Sequence, residues 1–457
     1  MKKMFFRLSV DILAYIRTIF IRHRVILLIV GFTFLLSAGY AFCHRITPAV
    51  DASAYDQVGW NLAQGKGFRL QLNVPIQEDE VITYQGPFYQ FFLAGVYTVF
   101  GHHIEAVWLI HAILRAVSVG LLYLICRRLL LGERGRYAGW VAGILFGFHP
   151  DLIEIGAMLM TETVFLFLMI LTIYAFFRVF ERVTYREIVF LSFVFAAAIL
   201  ARSTILFFAP VFLVRFLQLR AYKHILIFGL LMTILLTPWT ARNYFTYGKV
   251  IPTMANFGYN LWVGNRIDSD GEGGNHPALF EAMKKYGMIE ANNHSIQQYK
   301  IFVTEHPLRY LWLTLSRTLK YFSFMRPMGF WFYQHGLAQF IFIVSSMIGS
   351  LMLFVSSVAG WFATLRVDRK SSFKVLSVFV LLTCLSIVPI IFETRYRMPV
   401  YPLLALFGGI FWSGWWQERA VYVKYLRWSV LTCIFIAVAS LGFDYQKIGI
   451  KLNELLA

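Results

Sequence analysis

Apolar blocks of about 15 to 25 residues, separated by short basic loops, recur from Val25 to Phe443. No other feature constrains the chain as much. Within lipid every backbone N–H and C=O needs an internal partner, which leaves helices and closed barrels as spanning structures. A barrel would alternate polar and apolar residues, so the unbroken blocks read as helices. With 59% hydrophobic and 14% charged residues, a water-soluble fold of 457 residues has no way to hide this apolar surface. The fold class is an all-α polytopic membrane protein.

The expected spans are 25–42, 104–125, 137–148, 155–180, 188–200, 204–219, 225–236, 337–365, 373–392, 400–416 and 428–443. They make about eleven crossings, several short of the ~20 residues that a straight span needs. Lys2, Lys3, Arg7, Arg17, Arg22 and Arg24 precede the first and place the N-terminus in the cytoplasm. Basic clusters return at Arg127/Arg128/Arg134/Arg136, Arg178/Arg182/Arg186, Arg215/Arg220/Lys223, Arg366/Arg369/Lys370/Lys374 and Arg419/Lys424/Arg427. Each interval between clusters holds an even number of crossings, and the last span leaves the C-terminus outside. This distribution explains the net charge of +18 as topology and argues against a nucleic-acid partner. Residues 1–24 lack a small-residue cleavage site and read as a retained, partly amphipathic helix.

Of 24 Asp and Glu, only Asp11, Glu133, Glu181, Glu187, Asp368 and Glu418 fall on the cytoplasmic side. The polar work is therefore external. Two outer regions are expected in a single membrane domain, 1–443, with a short tail at 444–457. The first, 44–103, includes 88–100, too short to cross and read as an interfacial or re-entrant helix. The second, 238–336, carries the turn signal Ser269-Asp270-Gly271-Glu272-Gly273-Gly274 and an amphipathic helix over 308–324, suited to the outer surface.

Asp51 stands just outside the first span, after Ile46-Thr47-Pro48. A carboxylate there suits proton abstraction from a hydroxyl; its other reading is a helix N-cap for 52–64. Asp56, five residues on, does not share its helix face. Asp151 and Glu154 sit on the second outer turn, Asp151 reading as a helix cap. Glu162 lies about two helical turns beyond Glu154, on roughly the same face of one span. An ionisable group in a span marks a site by default, or else pairs with a nearby arginine. Arg115 shares a face with His111 inside the second span and either pairs with Glu162 or binds an anion. Arg202, Arg242, Arg395 and Arg397 occupy outer ends of spans, against the positive-inside tendency. Four planar guanidiniums at one level suit a lipid phosphate; the alternative is snorkelling to headgroups. The cysteines Cys43, Cys126, Cys384 and Cys433 show no CxxC spacing, and His276, His294, His306 and His335 no metal-ligand spacing. No cofactor or metal is indicated, and metal dependence stays open. Soluble nucleotide-binding signatures are absent.

Six stretches in fixed order carry a family resemblance: PAVDASAYDQVGWNLAQGKGF, TYQGPFYQFFLAGVYTVFG, MLMTETVFLFL, LARSTILFFAPV, TPWTARNYFTYGKVIP with NLWVGN, and ETRYRMPVYPLLAL. The chain resembles GT-C-type glycosyltransferases that use polyprenyl-phosphate sugars, in the protein-mannosyltransferase-like group (glycosyltransferase family 39 and relatives). The resemblance implies a GT-C bundle in a membrane, bacterial inner (plasma) membrane for a chain of this kind, with its site on the periplasmic or extracellular side. It implies Asp51 as base, Glu162 at the family's acidic position, and Arg202, Arg242, Arg395 and Arg397 near the lipid phosphate; read from the residues, Tyr55, Asp56, Arg115, Asp151 and Glu154 join these as substrate-binding candidates. Partners would be a polyprenyl-phosphate sugar, a lipid, glycan or protein acceptor, and membrane lipids. Many relatives carry an acidic doublet at the first position, whereas Ala52 follows Asp51 here. A transporter or flippase of lipid-linked or anionic substrates is the alternative, although no internal repeat supports it. A non-catalytic assembly subunit is the third reading.

Overall fold

The computed structural model describes residues 24–83, 86–274, 277–326, 333–366 and 371–456, with side chains to 443. The helix expected over the N-terminal residues, the pair Arg369 and Lys370, and His276 lie outside them. Helices make up the described structure, the only extended pairing among these residues being a single parallel bridge between Glu272 and Phe392. In chain order they are α1 (Arg24–His44), α2 (Asp51–Ala63), α3 (Phe88–Phe100), α4 (Ile104–Leu129), α5 (Gly132–Gly147) and α6 (Pro150–Ala157). There follow α7 (Thr161–Glu181), α8 (Tyr185–Ala201), α9 (Ala209–Gln218), α10 (Tyr222–Tyr247), α11 (Phe257–Gly264) and α12 (Pro277–Tyr286). The last are α13 (Met288–Glu305), α14 (Pro307–Phe322), α15 (Gly336–Arg366), α16 (Ser371–Leu385), α17 (Tyr401–Trp415) and α18 (Arg419–Leu456). Among the described residues, α1, α4, α7, α10, α15 and α18 are six helices long and apolar enough to cross a membrane.

The core of the bundle runs α7–α4–α5–α17–α15–α18, with α8 on α7 and α10 on α8. In α5 the residues Gly135, Gly139, Gly143 and Gly147 fall four apart on one face and are buried. A methyl group at Gly139 would overlap Tyr123 of α4, and one at Gly147 would meet Thr33 of α1 and Val119 of α4. Lipid gives helices no hydrophobic reason to associate, so close approach over small residues replaces it. This small-residue repeat is a sequence signal absent from the span assignment above. Outward, Leu28, Phe32 and Leu35 of α1, Leu226 and Leu230 of α10, and Phe340 and Ile341 of α15 remain exposed, the faces that lipid would cover.

Several boundaries differ from expectation. The block at 155–180 is two helices, because the chain turns extended at Met158 and Met160 between α6 and α7. Glu154 and Glu162 therefore do not share one helix face. The helix beginning at Tyr222 continues through Pro238, the start read for the second outer region, to Tyr247. Neighbouring helices tolerate such a proline in membrane segments. The span expected at 373–392 ends at Leu385; 386–392 is a non-helical strap leading into a 3₁₀ turn, Thr394–Val400. That at 204–219 opens as a 3₁₀ turn, Ser203–Phe208. The tail at 444–457 is not separate, since α18 runs on to Leu456.

The regions expected outside, 44–103 and 238–336, are also helical where described. α2 packs on α3, which touches α4 and α8; α11 packs on α13, and α14 lies along α18. α14 is inverted relative to a water-facing surface helix. Its buried side carries Leu313, Ser316, Arg317, Lys320 and Tyr321, while Leu308, Leu311, Trp312 and Leu315 are exposed.

Candidate active site

Asp51 opens α2, but it caps nothing. The residue before it, Val50, has φ 53 and no side-chain capping bond. A β-branched residue in the left-handed region is strained, and such strain persists where surrounding structure fixes it. Here it turns the first residue of α2 toward the 3₁₀ turn before α17. Asp51 Oδ2 lies 2.8 Å from Arg395 Nη1. Arg395 Nε donates to Glu393 Oε2 at 2.7 Å, so one guanidinium joins two carboxylates.

The second pair of the cluster comes from the helix break. Glu162 sits in the first turn of α7, where helix polarity favours a carboxylate. Arg202, the residue after α8, donates from Nη1 to Glu162 Oε1 at 2.9 Å. The Tyr396 ring joins the pairs, with the Arg202 guanidinium 5.5 Å and that of Arg395 5.4 Å from its centroid. Burial works against charge on Arg395, yet Glu393, Tyr396, Asp51 and Glu162 around it raise its pKa well above the usual value. Burial, then the charge of Asp51, keeps the Tyr55 hydroxyl protonated beside them.

Arg202 and Tyr396 line a cavity of ≈ 290 Å³. Its other walls mix apolar side chains, Phe207 from the turn before α9, Met254 and Phe257 at α11, and Ile387, Ile390 and Ile391 of the strap, with polar ones such as Thr204, Asn256, Asn260 and Ser386. Beyond the strap, Lys320 Nζ and Arg326 Nη1 each lie 2.8 Å from Glu272 Oε1. Glu272 bridges to Phe392, next to Glu393.

The structure thus brings together Asp51, Tyr55, Glu162, Arg202 and Arg395. It separates the remaining candidates. Asp56 accepts from the Tyr97 hydroxyl and lies 2.9 Å from His102 Nε2, tying α2 to the end of α3. Arg115 donates to Ser37 and to the Gly147 carbonyl; Glu162 takes Arg202 as its partner instead. Arg242 donates to the Phe68 carbonyl and to Asn243, among the rings of Phe68, Trp239 and Tyr247. Asp151 is not the cap of α6, a role His149 takes by accepting from the Asp151 N–H. Its carboxylate turns inward to Arg397 Nη2 at 3.4 Å and accepts from Ser346 and from Tyr401 at 3.1 Å. Arg397 also donates to the Ser323 carbonyl at 2.8 Å, and neither member of the pair has any exposed side-chain surface. Glu154 accepts from Tyr40 and from Gln334, and burial pushes its carboxyl up to about 7.

Glu393, Lys320 and Arg326 were missed as cluster members. Glu393 had a usable signal, standing two residues before Arg395 in ETRYR. Lys320 and Arg326 had none, because pairing across loops follows no local spacing. Among the described residues no group of three or more His, Cys, Asp or Glu is placed to hold a metal ion.

A family model described as dolichyl-phosphate-mannose-protein mannosyltransferase matches residues 84–241, roughly a third of the chain. No curated protein matches. Among solved structures, ArnT from Cupriavidus metallidurans bound to undecaprenyl phosphate is similar with TM-score 0.54 and 12% identity, over 93% of this chain and 72% of that one. The Archaeoglobus fulgidus oligosaccharyltransferase in the apo form gives TM-score 0.51 and 12% identity, over 92% of this chain. The archaeal oligosaccharyltransferase AglB from Archaeoglobus fulgidus, in complex with an inhibitory peptide and a dolichol-phosphate, gives 0.50 and 12%, over 93%. The chain spans 55% and 56% of the length of those two oligosaccharyltransferase chains. At such identities the likeness speaks for the fold: this chain has the polytopic GT-C fold, with a protein-mannosyltransferase-like segment at 84–241.

Proposed function

We propose that the protein is a membrane glycosyltransferase that moves a sugar from a polyprenyl-phosphate donor to an acceptor on the extracytoplasmic side, with inversion. The observation that carries this reading is the pairing of Asp51 with Arg395, 2.8 Å apart, with Arg395 sharing the Tyr396 ring with Arg202, which lines a cavity. A cavity with apolar walls that is lined by the Arg202 guanidinium, with Arg395 against the other lining residue Tyr396, suits the two halves of a lipid phosphate. The GT-C neighbours solved with undecaprenyl phosphate and dolichol-phosphate support the same donor class.

In this mechanism the donor phosphate takes Arg395 from Asp51 and Arg202 in part from Glu162. The carboxylate of Asp51, relieved of its ion pair, then accepts the proton of the acceptor hydroxyl as oxygen attacks the anomeric carbon. The bond from that carbon to the phosphate oxygen breaks, and Arg395 and Arg202 stabilise the departing phosphate. Phosphate already leaves readily, so no protonating acid of the glycosidase kind is required. Tyr55, protonated, supplies a neutral hydroxyl near the reacting groups.

Purified protein incubated with a panel of labelled polyprenyl-phosphate sugars and cell-envelope acceptors should consume one donor. Consumption of none, with or without chelator, would reject the reading. Movement of an intact lipid-linked sugar between leaflets of a vesicle would favour the flippase instead.

A further inference from the structure

Arg317 is a fully buried arginine whose hydrogen-bond partners are all neutral oxygens. Nη1 donates to the carbonyls of Gly264 at 2.8 Å and Ile390 at 3.2 Å. Nη2 donates to Asn265 Oδ1 at 2.9 Å, Thr314 Oγ1 at 3.1 Å and the Pro389 carbonyl at 3.2 Å. Burial lowers its pKa to about 10, leaving it charged at neutral pH. A buried charge is costly unless hydrogen bonds compensate it, and here they come from two separate pieces of chain. Gly264 and Asn265 end α11; Pro389 and Ile390 belong to the strap. Both pieces line the cavity, through Phe257 and Asn260 on one side and Ile387, Ile390 and Ile391 on the other.

The surroundings repeat the pattern. Asn265 Nδ2 donates to the Ile390 carbonyl at 2.8 Å. Gly264 is so close to that carbonyl that an added methyl would stand 2.1 Å from it, so no larger residue fits the junction. The strap then passes Phe392, whose N–H donates to the Gly271 carbonyl at 3.0 Å, and reaches Glu393 and Arg395. α14 presents Arg317 and Lys320 inward because its opposite face, with Leu308, Leu311, Trp312 and Leu315, is the exposed apolar one. That face would lie in lipid, which fixes the direction in which the charges point.

We propose that Arg317 is a positioning residue that clamps the end of α11 to the strap, setting the width of the cavity and the place of Arg395 opposite Asp51. It touches neither lipid nor sugar. The planar fork reaches four carbonyl and amide oxygens at once, a geometry that the point charge of lysine lacks. Its functional consequence rests on the proposed donor; the clamp itself does not.

The test uses the full chain in detergent, with Arg317→Gln and Arg317→Lys. Hydrogen exchange is followed in peptides covering 257–265 and 386–397, against α4 and α17 as references. Arg317→Gln should speed exchange in both segments by about tenfold or more, and Arg317→Lys by less, with the references unchanged. Unchanged exchange in the two segments, or an equal rise throughout the chain, would overturn the clamp; if the glutamine variant does not fold, the lysine variant decides by the same criteria. Binding of undecaprenyl phosphate is measured in parallel. Failure of the unaltered protein to bind it counts against the transferase reading, while the exchange result still decides Arg317. Where donor turnover is measurable, Arg317→Gln should raise the donor KM about tenfold while kcat changes far less.

Discussion

Arg395 and Arg397 stand two residues apart on one 3₁₀ turn, yet they enter two differently built ionic regions. Around Arg395 the side chains retain some exposure, 15% for Arg395 and 28% for Asp51, and each guanidinium meets carboxylate and aromatic neighbours. Around Arg397 the pair with Asp151 has 0% exposure on both sides and is closed by Ser346, Tyr401 and the Ser323 carbonyl. The first arrangement can exchange a partner for an incoming anion. The second cannot do so without leaving a buried charge bare, which makes it a structural pin between α6, α15 and the turn before α17.

The sharpest test of this contrast is Asp51→Asn. Transfer should fall by about 10²- to 10⁴-fold, the usual share of a general base, with thermal unfolding unchanged. Near-normal turnover would remove Asp51 from the chemistry. Next in size, Arg397→Met should destabilise the protein by roughly 3–5 kcal/mol, since Asp151 loses its counter-charge. Adding Asp151→Asn should recover much of that loss, as seen in denaturation of the double variant. A stable Arg397→Met protein that binds donor poorly would instead exchange the roles of the two regions.

Glu154 offers a pH test within the closed region. Its folded-state pKa of about 7 lies above the ordinary 4.5, so the native state holds the proton more tightly than the unfolded chain. Its favourable contribution is present below pH 4.5 and is lost as pH rises toward 7, by roughly 3 kcal/mol in all. Asp151, Tyr40, Gln334 and Tyr333 are the polar groups around it. Glu154→Gln should flatten that slope in unfolding curves taken from pH 4 to 8, while a persistent slope would assign the titration elsewhere. The smallest effect is expected from Arg395→Gln. Donor affinity should drop about tenfold while stability changes by about 1 kcal/mol or less, because the pair is partly exposed. A large loss of stability there would erase the distinction between the two arginines.

Much of the fold was readable because apolar blocks and basic loops are properties of the chain itself. Asp51 was also visible, as a carboxylate just beyond the first span, and Arg202 and Arg395 as basic residues at span ends expected to lie outside. Less could be read where a break lacks punctuation. Met158-Leu159-Met160 contains neither glycine nor proline, so nothing local announced that Glu154 and Glu162 would face different neighbours. Arg242 looked equivalent to Arg202 by position, and only the packing of Phe68 and Trp239 around it drew it elsewhere. The chain's own pattern shows α14 only as an amphipathic surface helix, and the burial of its Arg317 and Lys320 follows from the packing.

By itself, then, the sequence determined membrane residence, helical class, and the residue types available at the ends of the spans. Hydropathy and charge act through the solvent, and their effect survives any rearrangement of neighbours. Which carboxylate met which arginine was decided by tertiary structure alone. Ion pairs depend on separations of a few ångströms between residues hundreds apart in the chain, such as Asp51 and Arg395, and those separations exist only once the helices have packed.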